Sequence, residues 1–273
     1  MISRSSHFVE ADGLHWHVEE MGQGPVILLV HGTAASVHSW RNVMPLLAGE
    51  YHVVALDLPG HGETRIRDSS DYTLERMARG VACVITAMKL GPETVVGHSA
   101  GAAILAEACA RKQMLPQNYI SFNGAFYPFG GAASGLIAPF VKALAFAPFL
   151  PPLLAGLASR SKVEKIMRGT GYNISPEGID LYFRLFKQPS HVAAALGMMG
   201  SWDLRGMENS LARLTQTCVF VGGANDKAVP PETADRAAAC CRNAKVVHIK
   251  GLGHLLHEEN PELAAQIIKG EYR

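Results

Sequence analysis

No excess of either charge marks this sequence: 25 lysines and arginines face 24 acids, leaving a net charge of +1 with the histidines neutral. Without a basic surplus there is no long-range field to draw the chain to nucleic acid, and no such partner is expected. The opening residues, Met1-Ile2-Ser3-Arg4-Ser5-Ser6-His7, have no apolar run behind their basic residue, so no secretory leader is expected. Cysteine is also scarce. Cys83, Cys109, Cys218, Cys240 and Cys241 show no framework spacing and no Cys-x-x-Cys. They read as small apolar residues of a reduced, cytoplasmic protein, with the adjacent Cys240-Cys241 pair the one place left for redox chemistry. The twelve histidines do not fall at ligand spacings, so neither metal nor cofactor is expected. Internal repeats and low-complexity linkers are absent too.

What is present is an alternation of strand-like and helix-like segments over 273 residues, enough for one large α/β domain with or without an insertion. Residues 6–20 alternate apolar and polar around Asp12-Gly13, a hairpin signal. Val26-Ile27-Leu28-Leu29-Val30 is a continuous apolar run of the kind buried on both faces of a parallel sheet. It ends in His31-Gly32-Thr33, and a helix is expected from about Ser39. A strand from Tyr51 to Leu56 runs into Asp57-Leu58-Pro59-Gly60-His61-Gly62, and an amphipathic helix covers 73–90. Val95-Val96 then leads through Gly97-His98-Ser99-Ala100-Gly101 into an Ala-rich helix, Ala102 to Arg111. Asn118–Gly124 is another strand, Cys218–Val221 and Ala244–Ile249 are two more, and helices are expected over Pro231–Cys240 and from Pro261. Such an order implies a mostly parallel, doubly wound α/β sheet, whose ligands bind beyond the carboxyl ends of the strands. His31, Asp57, Ser99 and Asn123 all stand at those ends.

Residues 127–205 break the rhythm. Prolines 128, 139, 148, 151 and 152 punctuate apolar stretches, and short helices fit Lys162–Arg168, Pro176–Phe186 and His191–Met199. The reading is an α-helical cap at 127–205 between core segments 1–126 and 206–273. Gly135 to Ala158 is apolar enough to raise a membrane span, but its four prolines and Lys142 argue against one. A lid touching a membrane or covering an apolar substrate fits better. Eight basic residues of the cap face four acids, and Arg160, Lys162, Lys165 and Arg168 cluster. An apolar cap rimmed with bases suits a flat apolar molecule bearing carboxylates, or anionic lipid headgroups; an ordinary solvated helix face explains any one of these residues as well.

Gly-x-Ser-x-Gly between a strand and a helix suits a nucleophile elbow, where small Gly97 and Gly101 let strand and helix approach. The pattern alone arises by chance in about one chain of this length in five to ten, so the partners decide its meaning. Ser99 would be the nucleophile, His254 the base and Asp226 the carboxylate that sets the imidazole tautomer. The backbone N–H groups of Ala100 and Thr33 would hold an oxyanion, each typically worth about 3–4 kcal/mol in the transition state. His257 competes with His254, but His254 follows the last strand directly, after Gly251-Leu252-Gly253. The rival reading of Asp226 is a turn residue, but no acid follows the Asn118–Gly124 strand to replace it, so the catalytic reading is preferred. His31, Gly32 and Asp57 are expected to shape loops beneath the site, and His98 to stand exposed on the turn, where it could line a pocket.

Val30-His31-Gly32, Asp57-Leu58-Pro59-Gly60-His61-Gly62, Gly97-His98-Ser99-Ala100-Gly101, Gly223-Ala224-Asn225-Asp226 and Gly251-Leu252-Gly253-His254 together resemble the α/β-hydrolase superfamily along the whole chain. The order Ser, Asp, His is the one that superfamily uses. More narrowly, His7–His17, Phe122-Asn123-Gly124-Ala125, Phe129-Gly130-Gly131, Arg168-Gly169-Thr170-Gly171, His191–Met199 and Trp202-Asp203-Leu204 resemble the hydrolase-like magnesium-chelatase accessory proteins of bacteriochlorophyll-making bacteria. That resemblance implies a role near magnesium insertion into protoporphyrin, with a tetrapyrrole as substrate and magnesium-chelatase subunits as partners, but it implies no particular reaction. Two readings follow. One is a serine hydrolase acting on an ester or related carbonyl bond of an apolar metabolite, with carbon–carbon bond hydrolysis as its variant; the other is a porphyrin-binding or chelatase-assisting module. An aspartate nucleophile is excluded by Ser99 itself.

Overall fold

In the computed structural model, which describes residues 3–128 and 147–272, eight strands form one sheet in the order β1-β2-β4-β3-β5-β6-β7-β8. β1 (Arg4–Ala11) and β2 (Leu14–Met21) make the antiparallel hairpin, and β2 also runs antiparallel to β4 (His52–Leu56). The hairpin turns at Asp12 and Gly13, both at positive φ (51° and 77°). A two-residue turn of that hand matches the twist of its strands. β3 (Val26–Val30), β4, β5 (Thr94–His98), β6 (Asn118–Phe122), β7 (Thr217–Gly223) and β8 (Ala244–Ile249) are all parallel.

The period of two along the strands divides the core. Leu28, Val30, Val54, Leu56 and Val95 point to the face covered by α2 (Leu74–Ala87) and α3 (Ala100–Ala110). Leu29, Val53, Ala55, Val96 and Phe122 point to the other, covered by α1 (Met44–Leu47) and a C-terminal helix over Pro261–Lys269. Both faces are therefore dry, and β5, at the centre, is buried along its whole length. Burying these strands is the main favourable term of the fold, at about 25 cal/mol per Å² of apolar surface.

The helix expected from Ser39 is instead a single tight turn, Val37–Trp40, followed by the short α1. Pro45 lies in α1's first turn, where its missing N–H costs nothing, but it cannot extend a helix backward to Ser39. The helix after Ser99 begins at Ala100, two residues earlier than expected, because the turn at Ser99 is itself its N-cap.

Between β6 and β7 the chain carries α4 (Leu150–Leu157), α5 (Arg160–Gly169), α6 (Pro176–Phe186), α7 (Pro189–Ser201) and α8 (Met207–Ala212). α9 (Glu232–Cys240) links β7 to β8; α10 (Leu256–Glu259) and α11 (Pro261–Lys269) close the chain. Val163, Met167, Ile179 and Tyr182 form a small separate core that reaches Ala35 and Leu255 on the sheet-edge loops. No helix among the described residues is long and apolar enough to cross a membrane. Much of the apolar run Gly135–Ala158, with its Lys142, and the Phe129-Gly130-Gly131 segment lie outside the described residues.

Candidate active site

Ser99 sits at φ 49°, ψ −115°, a conformation that L-residues with side chains rarely adopt. Strain of this kind costs on the order of 1–3 kcal/mol and persists only where its surroundings impose it. Here they do. Ser99 N–H donates to the Phe122 carbonyl on β6 at 2.9 Å, and its own carbonyl accepts from Ala102 (3.2 Å) and Ala125 (3.1 Å). A Cβ on Gly97 would stand 2.4 Å from the Ala102 backbone, and one on Gly101 2.3 Å from the Val30 carbonyl, so larger residues would pry strand and helix apart. Ser99 is 8% exposed, at the start of α3. The N–H of Ala100 falls in the first helical turn, where no preceding carbonyl is in register to accept it.

Asp226, just past β7, is fully satisfied. Its Oδ1 accepts from the N–H groups of Ala228 and Val229, both at 2.8 Å. Its Oδ2 accepts from Asn123 Nδ2 at 2.6 Å and His254 Nδ1 at 2.8 Å. A carboxylate can only accept, so the proton of His254 is on Nδ1 and Nε2 is left as a base. The His254 side chain is 11% exposed. Asn123 stands past β6, at the position where related sheets place an acid; reading for acids alone passed over it as a partner of Asp226.

Ser99 Oγ and His254 are not hydrogen-bonded to each other in this structure. Such bonds are commonly long until substrate arrives. What ties the two residues together is His98. Expected to be exposed, it is only 2% exposed. It is still part of the central strand, so its side chain lies within the sheet's covering layer, and only the following residue emerges on the turn. Its Nε2–H donates to the His254 carbonyl at 2.9 Å, and its ring lies 4.8 Å from that of His254 and 4.5 Å from that of His257. Its Nδ1 is buried without a partner. A Cβ on Gly32 would come within 2.9 Å of both His98 Nδ1 and Ser99 Cβ, so the His31-Gly32-Thr33 loop lies directly against the elbow. Thr33 is in turn held from above: its Oγ1 donates to Met198 Sδ on α7 at 3.3 Å.

His31 is a loop organiser. It donates from Nδ1 to the Gly32 carbonyl (2.7 Å) and accepts the Leu58 N–H at Nε2 (3.0 Å). Asp57 accepts from Val37 N–H (2.7 Å), Glu63 N–H (2.9 Å) and His17 Nδ1 (2.7 Å), joining both sheet-edge loops to β2. His191 on α7 accepts the Gly62 N–H at 3.2 Å and stacks edge-on against His61. His257 is engaged elsewhere, with Ser39 Oγ at 2.7 Å. Its neighbour Glu258 is buried and accepts from Ser39, Arg41 and, from α6, the Tyr182 hydroxyl (2.6 Å).

Burial holds most of these imidazoles neutral. It pulls His98 and His61 well below 6.5, and His191 and His257 down to about 4. No cation therefore stands beside the His254 ring from this cluster. Among the described residues no group of three His, Cys, Asp or Glu side chains is placed to hold a metal ion. A cleft of about 640 Å³ lined by Arg168, Tyr172, Asn225 and Lys227 runs along the Asp226 loop, but neither Ser99 nor His254 is among its walls.

A family model described as the alpha/beta hydrolase family matches residues 27–267. The chain is 34% identical over 248 residues to the magnesium-chelatase 30 kDa subunit of Rhodobacter capsulatus, covering 90% of this chain and 86% of that one. It is 26% identical to the uncharacterized hydrolase YugF of Bacillus subtilis (strain 168), over 94% of each chain. Among solved structures it superposes on a serine hydrolase involved in carbazole degradation (CarC) with a TM-score of 0.79 at 23% identity, over 98% of both chains, a likeness of fold. The chain belongs to the alpha/beta hydrolase family.

Proposed function

We propose that this protein is a serine hydrolase that cleaves an ester or related carbonyl bond of an apolar metabolite, with Ser99, His254 and Asp226 as its catalytic triad. The observation that carries this reading is the pairing of His254 Nδ1 with Asp226 Oδ2 at 2.8 Å beside a serine held at φ 49° on the first residue before a helix. Ser99 Oγ attacks the carbonyl carbon and passes its proton to His254 Nε2. The resulting oxyanion is held by the N–H groups of Ala100 and Thr33. His254 returns the proton to the leaving group, and a water activated by the same imidazole releases the acyl group from Ser99. The helices α4 to α7 act as the cap over this reaction, with His191 and Met198 on α7 meeting the loops below.

The likeness to a magnesium-chelatase subunit supports placing the reaction in bacteriochlorophyll synthesis, near magnesium insertion, with a tetrapyrrole as substrate. The same likeness supports a second reading, in which the fold binds porphyrin or assists chelatase subunits and chemistry is secondary. Labelling with a fluorophosphonate probe separates them. Rapid labelling lost in Ser99→Ala and His254→Ala, and slowed by protoporphyrin, is the expected result. A folded protein that does not label overturns the hydrolase reading and leaves the binding one.

A further inference from the structure

A surface helix normally turns its large apolar side chains inward, and α4 leaves most of its leucines facing out. Of its side chains only Pro151 and Ala155 are buried. Leu153, Leu154 and Leu157 are 52%, 40% and 55% exposed, and Phe149 just before them is 68% exposed. Phe149, Leu153 and Leu157 recur every fourth residue and so form one stripe. Exposed apolar residues grouped in this way mark a contact surface more often than singles do.

The surroundings of the stripe say what it contacts. Lys162 Nζ donates to the Leu157 carbonyl at 2.9 Å and Lys187 Nζ to the Ala155 carbonyl at 3.4 Å, which puts two ammonium groups beside the leucines. Lys165 follows on α5, next to Ile166, itself 53% exposed. Among the described residues none of these three lysines is paired with a carboxylate. The arginines of the same helix are: Arg160 faces Glu164 and Asp180, and Arg168 faces Glu164. Within α5 the uncompensated charge is thus that of its lysines, and Lys162 and Lys187 reach the carbonyls of the helix that carries the stripe. The stripe is one helix wide, and its three side chains present well under the roughly 800 Å² per partner that a stable protein–protein contact covers. Shallow insertion into a lipid interface needs only a few apolar side chains and a basic rim.

We propose that the face of α4 and α5 docks on the surface of a bilayer containing anionic lipid. Phe149, Leu153 and Leu157 enter the boundary between headgroups and acyl chains, while Lys162, Lys165 and Lys187 meet lipid phosphates, their stems lying along the apolar surface. The inserted helices would then face the phase in which an apolar substrate is dissolved. Docking does not depend on the nucleophile: a chain whose Ser99 proved inert would still bind.

The test is co-sedimentation of the full chain with vesicles of phosphatidylcholine alone and of phosphatidylcholine mixed with phosphatidylglycerol, at low and high salt. Retention by the anionic vesicles is expected, at least about tenfold stronger than by the neutral ones and lost in high salt. Leu153→Asp with Leu157→Asp should abolish it; both positions are exposed, so the variant should melt like the wild type. Lys165→Glu, a side chain on the helix exterior, should weaken binding by about fivefold or more. Equal retention by both vesicle types, no retention by either, or binding that survives the double leucine variant would each overturn the proposal. Leucine-dependent self-association without vesicle binding would overturn it in favour of a second copy.

Discussion

Two buried histidine–aspartate pairs in this molecule are near copies in their hydrogen bonds. His254 Nδ1 meets Asp226 Oδ2 at 2.8 Å, and His17 Nδ1 meets Asp57 Oδ2 at 2.7 Å. Each carboxylate also accepts two backbone N–H groups. His17 even has a serine on its far nitrogen, with Ser6 Oγ 2.9 Å from Nε2, whereas Ser99 has no such bond to His254. A census of hydrogen bonds alone would favour Ser6 over the proposed nucleophile Ser99. What differs is the serine's setting. Ser6 lies on the outer strand of an antiparallel hairpin, in the middle of β1 and with ordinary backbone. Ser99 is forced to positive φ at the start of a helix, against a loop from the neighbouring strand. At His17, burial works against the charged form, but the bond to Asp57 and its charge outweigh it and raise the imidazole above its ordinary value.

The sharpest way to break the comparison is to exchange the serines. Ser99→Ala should lower hydrolysis by about 10⁴-fold or more and abolish probe labelling, while Ser6→Ala leaves both unchanged. The two aspartates should separate next. Asp226→Asn is expected to cost about 10⁴-fold in kcat through the wrong imidazole tautomer. Asp57→Asn should leave the rate per folded molecule nearly intact but destabilise the fold by roughly 3 kcal/mol, read by denaturant titration, because it breaks a buried ion pair.

Acid titration sharpens the same contrast. His61, His98, His191 and His257 are held below 6.5 by burial, so the unfolded chain takes up their protons first. The stability they leave intact above 6.5 is lost as pH falls, down to about 4 for His191 and His257, at about 1.4 kcal/mol per histidine per unit. His17 has the opposite sign: its contribution is full below 6.5 and fades as pH rises through its higher folded value. Denaturant titrations at neutral and mildly acidic pH should show the net loss, and His17→Ala should lower stability by a constant amount below 6.5 while leaving the slope there unchanged. A smaller effect is expected at His98. His98→Ala frees the His254 carbonyl and should lower kcat about tenfold with KM little changed, and His98→Gln, which keeps a donor, should recover most of it. The smallest is Ser6→Ala on stability, under about 1 kcal/mol.

Much of this was legible in the chain. A run such as Val26–Val30 must be buried on both faces whatever surrounds it, and Asp12-Gly13 must turn, so the parallel sheet and its hairpin follow from period and turn chemistry. Gly-x-Ser-x-Gly between strand and helix identifies a serine held out of the backbone for the same local reason. The exposure of His98 was not legible, because it depends on which residue is the last of a strand, and helix and strand ends are set by tertiary contacts. Nor was the role of Asn123, whose amide reaches an aspartate 103 residues away. The outward stripe of α4 shows the limit most plainly. Its apolar residues read from the sequence as part of a lid that touches a membrane or covers an apolar substrate, with no sign of which of them face out. Local propensity and spacing determine which segments become strands, helices and tight turns; only packing decides which of two like histidine–aspartate pairs is tied to the strand that ends at a strained serine, and which apolar residues are left facing out, since both depend on neighbours far away along the chain.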